Sequence, residues 1–249
     1  MKNYRFKPHL APTLCCLVLF LILVSLGRWQ WSRAEYKTGL ELHYQAGLQA
    51  EPLTIAEAIE RGAELQGFRL QISGEFDNAR SLLLDNQMEG HRPGYQVLTP
   101  LLTGEKIQVL VSRGWIAATA DRRQPELMNT RSGTLVLSGK IYIPGNRQVV
   151  LKADDYSHPR WPLLVQKLDM GALAKLFDQE RAGVELAPFV VRLDPEMDVE
   201  EGDEMPRNWQ WMAMSPEKHR GYAVQWFGMA LVLLVLYITF SLEKKLPHE

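Results

Sequence analysis

His219, Tyr222 and Trp226 stand at i, i+3 and i+7, the spacing that puts three side chains on one face of a helix. Near the other end of the chain Gln30, Arg33 and Lys37 repeat the same spacing. An imidazole is a good iron ligand, and a guanidinium matches paired carboxylates such as haem propionates. A neutral imidazole brought near a cationic, aromatic-lined patch therefore has the chemistry of a haem contact. The same residues also suit a plain anchor. Trp and Tyr gather where a helix leaves a bilayer, Lys and Arg near helix ends reach to lipid phosphates, and a lone His there commonly caps or coats the surface.

No other constellation offers chemistry. The six histidines include no i, i+4 pair, so no H-E-x-x-H helix exists. There is no G-x-S-x-G elbow, phosphate-cradling lysine loop or G-x-G-x-x-G turn. Ser112 lies beside Arg113 with no base indicated, and Asp85, Asp121 and Asp194 are scattered. A triad assembled only in three dimensions stays open, because triads are recognised by geometry. No catalytic residue is assigned. With 249 residues and a net charge of −1, the chain also lacks the basic signature of a nucleic-acid binder.

The elements that must position the two stripes are apolar runs. Leu10 to Gly27 and Tyr222 to Leu242 carry no charge, and each is long enough to cross a bilayer of about 30 Å as a helix. Both stripes fall at the ends of these runs. The lipid bilayer is thus the first partner expected. Cys15 and Cys16 lie inside the first run, which excludes a disulfide framework elsewhere. Ser25 and Gly27 also fit a signal-peptide cleavage site, although the run exceeds the usual signal core of about 7–15 residues. Lys2, Arg5, Lys7, Lys244 and Lys245 flank the outer limits of the runs, against Arg33, Lys37, Lys218 and Arg220 on the inner limits. The count is nearly tied, and the terminal charges decide, since long loops cross regardless of charge. The expected layout is a cytoplasmic N-terminus (1–9), a first span (10–31), an outer domain (32–221), a second span (222–242) and a cytoplasmic tail (243–249).

The first span is expected to continue outward as a helix through 32–50. Thr54, Glu57 and Gly62 read as capping box and stop of a short helix. The period then changes to two. Stretches 68–76, 81–86, 95–102, 107–115 and 133–143 read as short antiparallel strands, with 161–168 a candidate strand and 187–194 the last one. Asp169 is a plausible N-cap for a helix over 169–180, and 202–214 reads as a loop. Arg113, Gly114 and Trp115 read as a strand ending in a glycine turn, with the Trp packed inward. The fold class is a membrane protein with two transmembrane helices flanking an α+β, mostly antiparallel and barrel-like extramembrane domain.

Four stretches also resemble the surfeit-1 family, the cytochrome c oxidase assembly factors. "LGRWQWSRAEYK" is similar to the family's G-x-W-Q-x-x-R-x-x-x-K through Gly27, Trp29, Gln30, Arg33 and Lys37. "GYQVLTPL" and "VLVSRGWIA" resemble its central strands through Gly94, Val97, Thr99, Pro100, Leu101, Val111, Arg113, Gly114 and Trp115. "KHRGYAVQWF" resembles its closing H-x-x-Y-A-x-x-W-F through His219, Tyr222, Ala223, Trp226 and Phe227. Arg220 and Ser112 depart from the pattern, and neither removes a motif side chain. The resemblance implies a non-enzymatic factor in the bacterial inner membrane, its central domain periplasmic. It implies maturation of cytochrome c oxidase subunit I, with the haem a synthesis machinery as a further partner. Bacterial members are similar to haem a-binding proteins, which carries the iron-ligand role onto His219. Arg33 or Lys37 would then meet a propionate, and the turn at Arg113–Trp115 would shape the surface that faces the oxidase subunit. The rivals are a scaffold that clamps an oxidase subunit or another assembly factor, with His219 only packing, and an unrecognised membrane-associated hydrolase.

Overall fold

The computed structural model describes residues 4–119, 125, 127, 129–145, 154–200, 205–212 and 214–244. In chain order its elements are strand β1 (Tyr4–Phe6), helix α1 (Leu10–Gln49), helix α2 (Ile55–Arg61), and strands β2 (Arg69–Phe76), β3 (Leu82–Glu89), β4 (Arg92–Thr103), β5 (Ile107–Ala117), β6 (Leu135–Tyr142) and β7 (Leu163–Val165). Helix α3 (Met170–Glu180), strand β8 (Glu185–Leu193), helix α4 (Pro216–Phe240) and strand β9 (Leu242–Lys244) complete them. The chain divides into two compact units, one made of the two ends up to His43 and from Met212, the other of Tyr44–Trp211.

The terminal unit is built on α1 and α4. Both are long and apolar enough to cross a membrane, with peak mean hydropathy of 2.5 and 2.0 over 18 residues. Leu14, Leu17, Val18, Val232 and Leu236 project outward from them. A helix facing water would carry charge at such positions, so these faces call for hydrocarbon as their solvent. The helices run antiparallel, as their contacts at either end require. Thr13 Oγ1 lies 2.7 Å from the Tyr237 hydroxyl, and Gly27 sits under the Phe227 ring. Strands β1 and β9, which alternation did not announce, pair antiparallel beyond the helix ends.

The central unit is a small barrel. Strands β2, β6, β8, β5 and β4 follow one another, and β2 pairs with β4 to close the ring; β3 and β7 extend the sheet from β4. Gly74 makes the corner: it pairs with Leu135 on one side and Thr103 on the other. A Cβ there would lie 2.4 Å from the Leu102 carbonyl oxygen, so only glycine allows the strands to meet. Inward positions at every second residue, among them Leu70, Ile72, Leu101, Val109, Val111, Leu137, Phe189 and Val191, fill the barrel. The alternate set, Leu82, Leu98, Leu110 and Val190, lies on the outer face under α3, whose Leu173, Leu176 and Phe177 cover it.

Most expected strands and both short helices are in place. The capping box forms, with Glu57 accepting from the Thr54 backbone N–H at 2.8 Å, and Gly62 ends α2. Asp169 caps α3 by accepting from the Ala172 N–H. Two pairings differ from the antiparallel expectation, since β5–β8 and β3–β7 run parallel. Alternation reveals which residues share a face, not which strand lies beside which. The long path from β5 to β8, through β6, β7 and α3, gives the chain room to return in the same direction.

Candidate functional site

Pro216, suited to a first helical turn, starts α4, and the next turn carries His219. Pro216, His219, Ala223 and Ala230 are the buried residues of this helix, at i, i+3, i+7 and i+14. On α1 up to His43 the buried residues are Leu23, Gly27 and Ala34, with half-buried Gln30 and Thr38 between and beyond them. Glycine and alanine along both seams let the helices approach closely, the usual packing in a bilayer where lipid is as apolar as leucine.

His219 meets Gln30 within that seam. Its Nδ1 lies 2.7 Å from Gln30 Oε1, and the histidine is only 8% exposed. With the amide oxygen as acceptor, Nδ1 donates, and in that neutral tautomer Nε2 carries the lone pair. A carbonyl-type acceptor on one ring nitrogen is the arrangement that fixes a metal-binding imidazole. Arg220 turns the other way and donates from Nη2 to Thr38 Oγ1 at 3.1 Å.

The remaining stripe residues are not gathered around the imidazole. Tyr222 is exposed and Trp226 half-buried, because each lies to one side of the seam that His219 shares with Ala223. A helix turns about 100° per residue, which puts Tyr222 and Trp226 on one flank of the line through Pro216, His219, Ala223 and Ala230, with Tyr222 farther out than Trp226. Arg33 is exposed and stacks over the Tyr36 ring, 5.8 Å from its centroid. Lys37 is half-buried and makes no hydrogen bond or ion pair among the described residues. Trp29 is 55% exposed. On a neighbouring flank Arg28, Trp31, Ser32, Glu35 and Phe227 line a groove of about 490 Å³. The stripe count passed over these residues because they are one position out of phase with Gln30.

In the barrel, Arg113, Gly114 and Trp115 do not end a strand or form a surface turn. They lie within β5, at a bulge: Gly114 pairs with Val97 and Ser112 with Leu98, leaving Arg113 as the extra residue. Arg113 is fully buried and donates from Nε to Glu200 Oε1 at 3.4 Å and from Nη1 to Thr99 Oγ1 at 3.4 Å. Arg207 Nη2 meets the other carboxylate oxygen at 2.8 Å, and its Nε donates to the Arg113 carbonyl at 2.5 Å. Burial pushes the Arg113 guanidinium below its usual proton affinity; Glu200 opposes that shift, and the Arg207 charge adds to it. Gly114 adopts φ +154°, and a Cβ on it would lie 2.3 Å from Met205 Cβ. Trp115 donates from its backbone to the Pro206 carbonyl at 2.9 Å and from Nε1 to the Gln87 carbonyl at 2.8 Å. The motif clamps residues 205–207 onto the barrel and presents no charged surface. Sequence reasoning missed Glu200 and Arg207 because their stretch reads as an acidic, structureless loop.

The chain matches the SURF1 family over residues 17–231, which takes in most of α1, the whole barrel and most of α4. It belongs to that family. A SURF1-like protein of Rickettsia conorii is 27% identical over 227 residues, covering 90% of this chain and 88% of the relative. The SURF1-like protein of Rickettsia felis is 26% identical over 231 residues. Surfeit locus protein 1 of Xenopus tropicalis is 23% identical over 244 residues, covering 92% of this chain and 75% of the relative.

The SURF1 match spans both sets of residues described above, yet their geometries differ in kind. The Arg113 cluster is sealed in a core and satisfied by its own neighbours. The His219 seam holds a ring nitrogen, Nε2, that takes no part in the Gln30 contact. Among the described residues no group of three or more His, Cys, Asp or Glu side chains could hold a bare metal ion.

Proposed function

We propose that this SURF1-family protein is a membrane-anchored assembly factor for haem–copper cytochrome c oxidase. It holds haem a as cargo on the way to subunit I and performs no catalysis of its own. His219 would meet the iron through Nε2, and Arg33 and Lys37, one turn apart on α1, are the cations offered to the propionates. Iron in this cargo carries four porphyrin nitrogens and needs only an axial base from the protein. The observation that carries the reading is the Gln30 contact, which fixes the imidazole in the tautomer an iron ligand requires. The two long apolar helices support a place in the bacterial inner membrane. Both termini would be cytoplasmic, the barrel periplasmic, and the haem a synthesis machinery the source of the cargo.

A second reading has its own support. His219 is already paired and only 8% exposed, as a histidine that merely locks two helices would be. The protein would then be a scaffold that clamps an oxidase subunit or another assembly factor. One experiment separates the two. The protein is purified in detergent from cells that make haem a, and its visible spectrum is recorded. A Soret band lost in His219→Ala supports the haem reading. A colourless protein that still co-purifies with subunit I removes haem and leaves the clamp.

A further inference from the structure

The outer face of the barrel changes character along its length. Under α3 it is apolar, through Leu98, Leu110 and Val190. Two residues further along the same strands, on the same face, stand Gln96, Ser112 and Arg192. The segment 206–210 borders this polar end, and a cavity of about 170 Å³ lies there. Gln96, Trp115, Arg192, Asn208 and Trp209 are among its walls.

Arg192 is the unusual member. Its guanidinium is stacked between two rings, 3.7 Å from the Tyr142 centroid and 5.5 Å from that of Trp209. Nη1 donates to the Gln210 carbonyl at 3.4 Å, while the buried Nε has no hydrogen-bond partner among the described residues. Among the described residues it has no carboxylate partner. Burial depresses its proton affinity, and the phenols of Tyr142 and Tyr44 are the groups that oppose this. Glu89, which also borders the cavity, is turned to Asn208 Nδ2, which donates to it. The rings hold the guanidinium plane fixed, and the Gln210 contact uses one end of it. Arg192 is the cation among the cavity walls, and a guanidinium is the group that takes a carboxylate in two parallel hydrogen bonds.

We propose that this cavity is a binding site for a small monocarboxylate, with Arg192 as its anchor, the amide side chains of Gln96 and Asn208 as further polar contacts, and the indoles of Trp115 and Trp209 as its apolar wall. Among the described residues Arg192 is the one cation on the cavity walls, and one cation matches one negative charge better than the two of phosphate. The volume is enough for a ligand of about half a dozen heavy atoms. The site is separate from the His219 seam and does not depend on a haem role there.

The test uses the full chain in detergent, titrated with sodium propionate, sodium phosphate or sodium chloride at constant ionic strength, read by tryptophan fluorescence. Propionate should give a saturable change that chloride does not give. Arg192→Met should weaken it about tenfold or more, and Arg192→Lys, which keeps the charge and loses the fork, should also weaken it. Thermal unfolding checks that each variant is folded. Should Arg192→Met not fold, Gln96→Leu replaces it, with weaker propionate binding expected. A response to propionate no different from chloride overturns the proposal, as does binding that survives in folded variants. Phosphate binding as tightly as propionate through Arg192 overturns the carboxylate assignment.

Discussion

His219 Nδ1 lies 2.7 Å from Gln30 Oε1, joining the two long helices through a polar contact beside the small side chains of Gly27, Ala34 and Ala223. Removing one partner leaves the other buried without a bond. His219→Ala and Gln30→Ala should therefore be non-additive, with a coupling of about 1 kcal/mol. Equilibrium unfolding of the two single variants and the double variant in mixed micelles measures this directly. Strict additivity would mean the two side chains do not interact.

Gly27 and Phe227 form the steric counterpart of that contact. A Cβ at Gly27 would come within 2.7 Å of the Phe227 ring. The ring is 37% exposed, so it can swing aside, and Gly27→Ala should cost only about 1 kcal/mol of helix-pair stability. Adding Phe227→Ala should recover most of it. A rescue that fails would move the origin of the cost to some other neighbour.

Glu200 holds two guanidinium groups at once, and its own side chain is fully buried. Glu200→Gln leaves Arg113 and Arg207 facing each other without their counter-charge. The expected loss is about 3–5 kcal/mol, against under about 1 kcal/mol for Asp198→Asn, whose ion pair with Arg131 is half in solvent. Chemical denaturation of the two variants side by side gives the comparison. Similar losses would show that burial does not set the value of these pairs.

Gly114→Ala should also be costly, by about 2 kcal/mol or more, because the new Cβ meets Met205 and the backbone has φ +154°. Loss of the same size from Met205→Ala alone would argue that lost packing, and not the glycine conformation, is what matters there.

Tyr156 supplies a pH dependence. Burial first, then the charges of Asp154 and Asp169, pushes its phenol up to about 12, and its hydroxyl is buried without a hydrogen-bond partner among the described residues. The folded protein thus resists ionisation that the unfolded chain undergoes near its ordinary value of about 10. The stability this group contributes is intact below pH 10 and is lost as pH rises from about 10 to about 12. Tyr156→Phe should leave neutral-pH stability nearly unchanged and make the alkaline fall shallower. An alkaline limb identical to that of the parent protein would show that Tyr156 does not control it.

Much of the architecture is legible without coordinates, for local reasons. The apolar length of α1 and α4, the Thr54–Glu57 box and the Asp169 cap all depend on residues within one helical turn or one uninterrupted run. The strands of the barrel are legible from period two alone. Boundaries were less so: 161–168 reduces to Leu163–Val165, and β1 and β9 are too short to show a period.

What the amino-acid order determines by itself is which residues share a face and where chain direction must break. It therefore reveals two apolar helices, a β-rich middle, and a histidine with a glutamine at matching helix ends. Tertiary structure alone decided the rest. Parallel or antiparallel neighbours, the placing of Arg113 inside the barrel, and its sharing of Glu200 with Arg207 depend on residues 87 and 94 positions apart meeting in space. The centring of the seam on His219 and Ala223, with Tyr222 to one side, was likewise decided by the partner helix. A helix offers every face equally until another surface covers one, and no spacing rule states which face that will be.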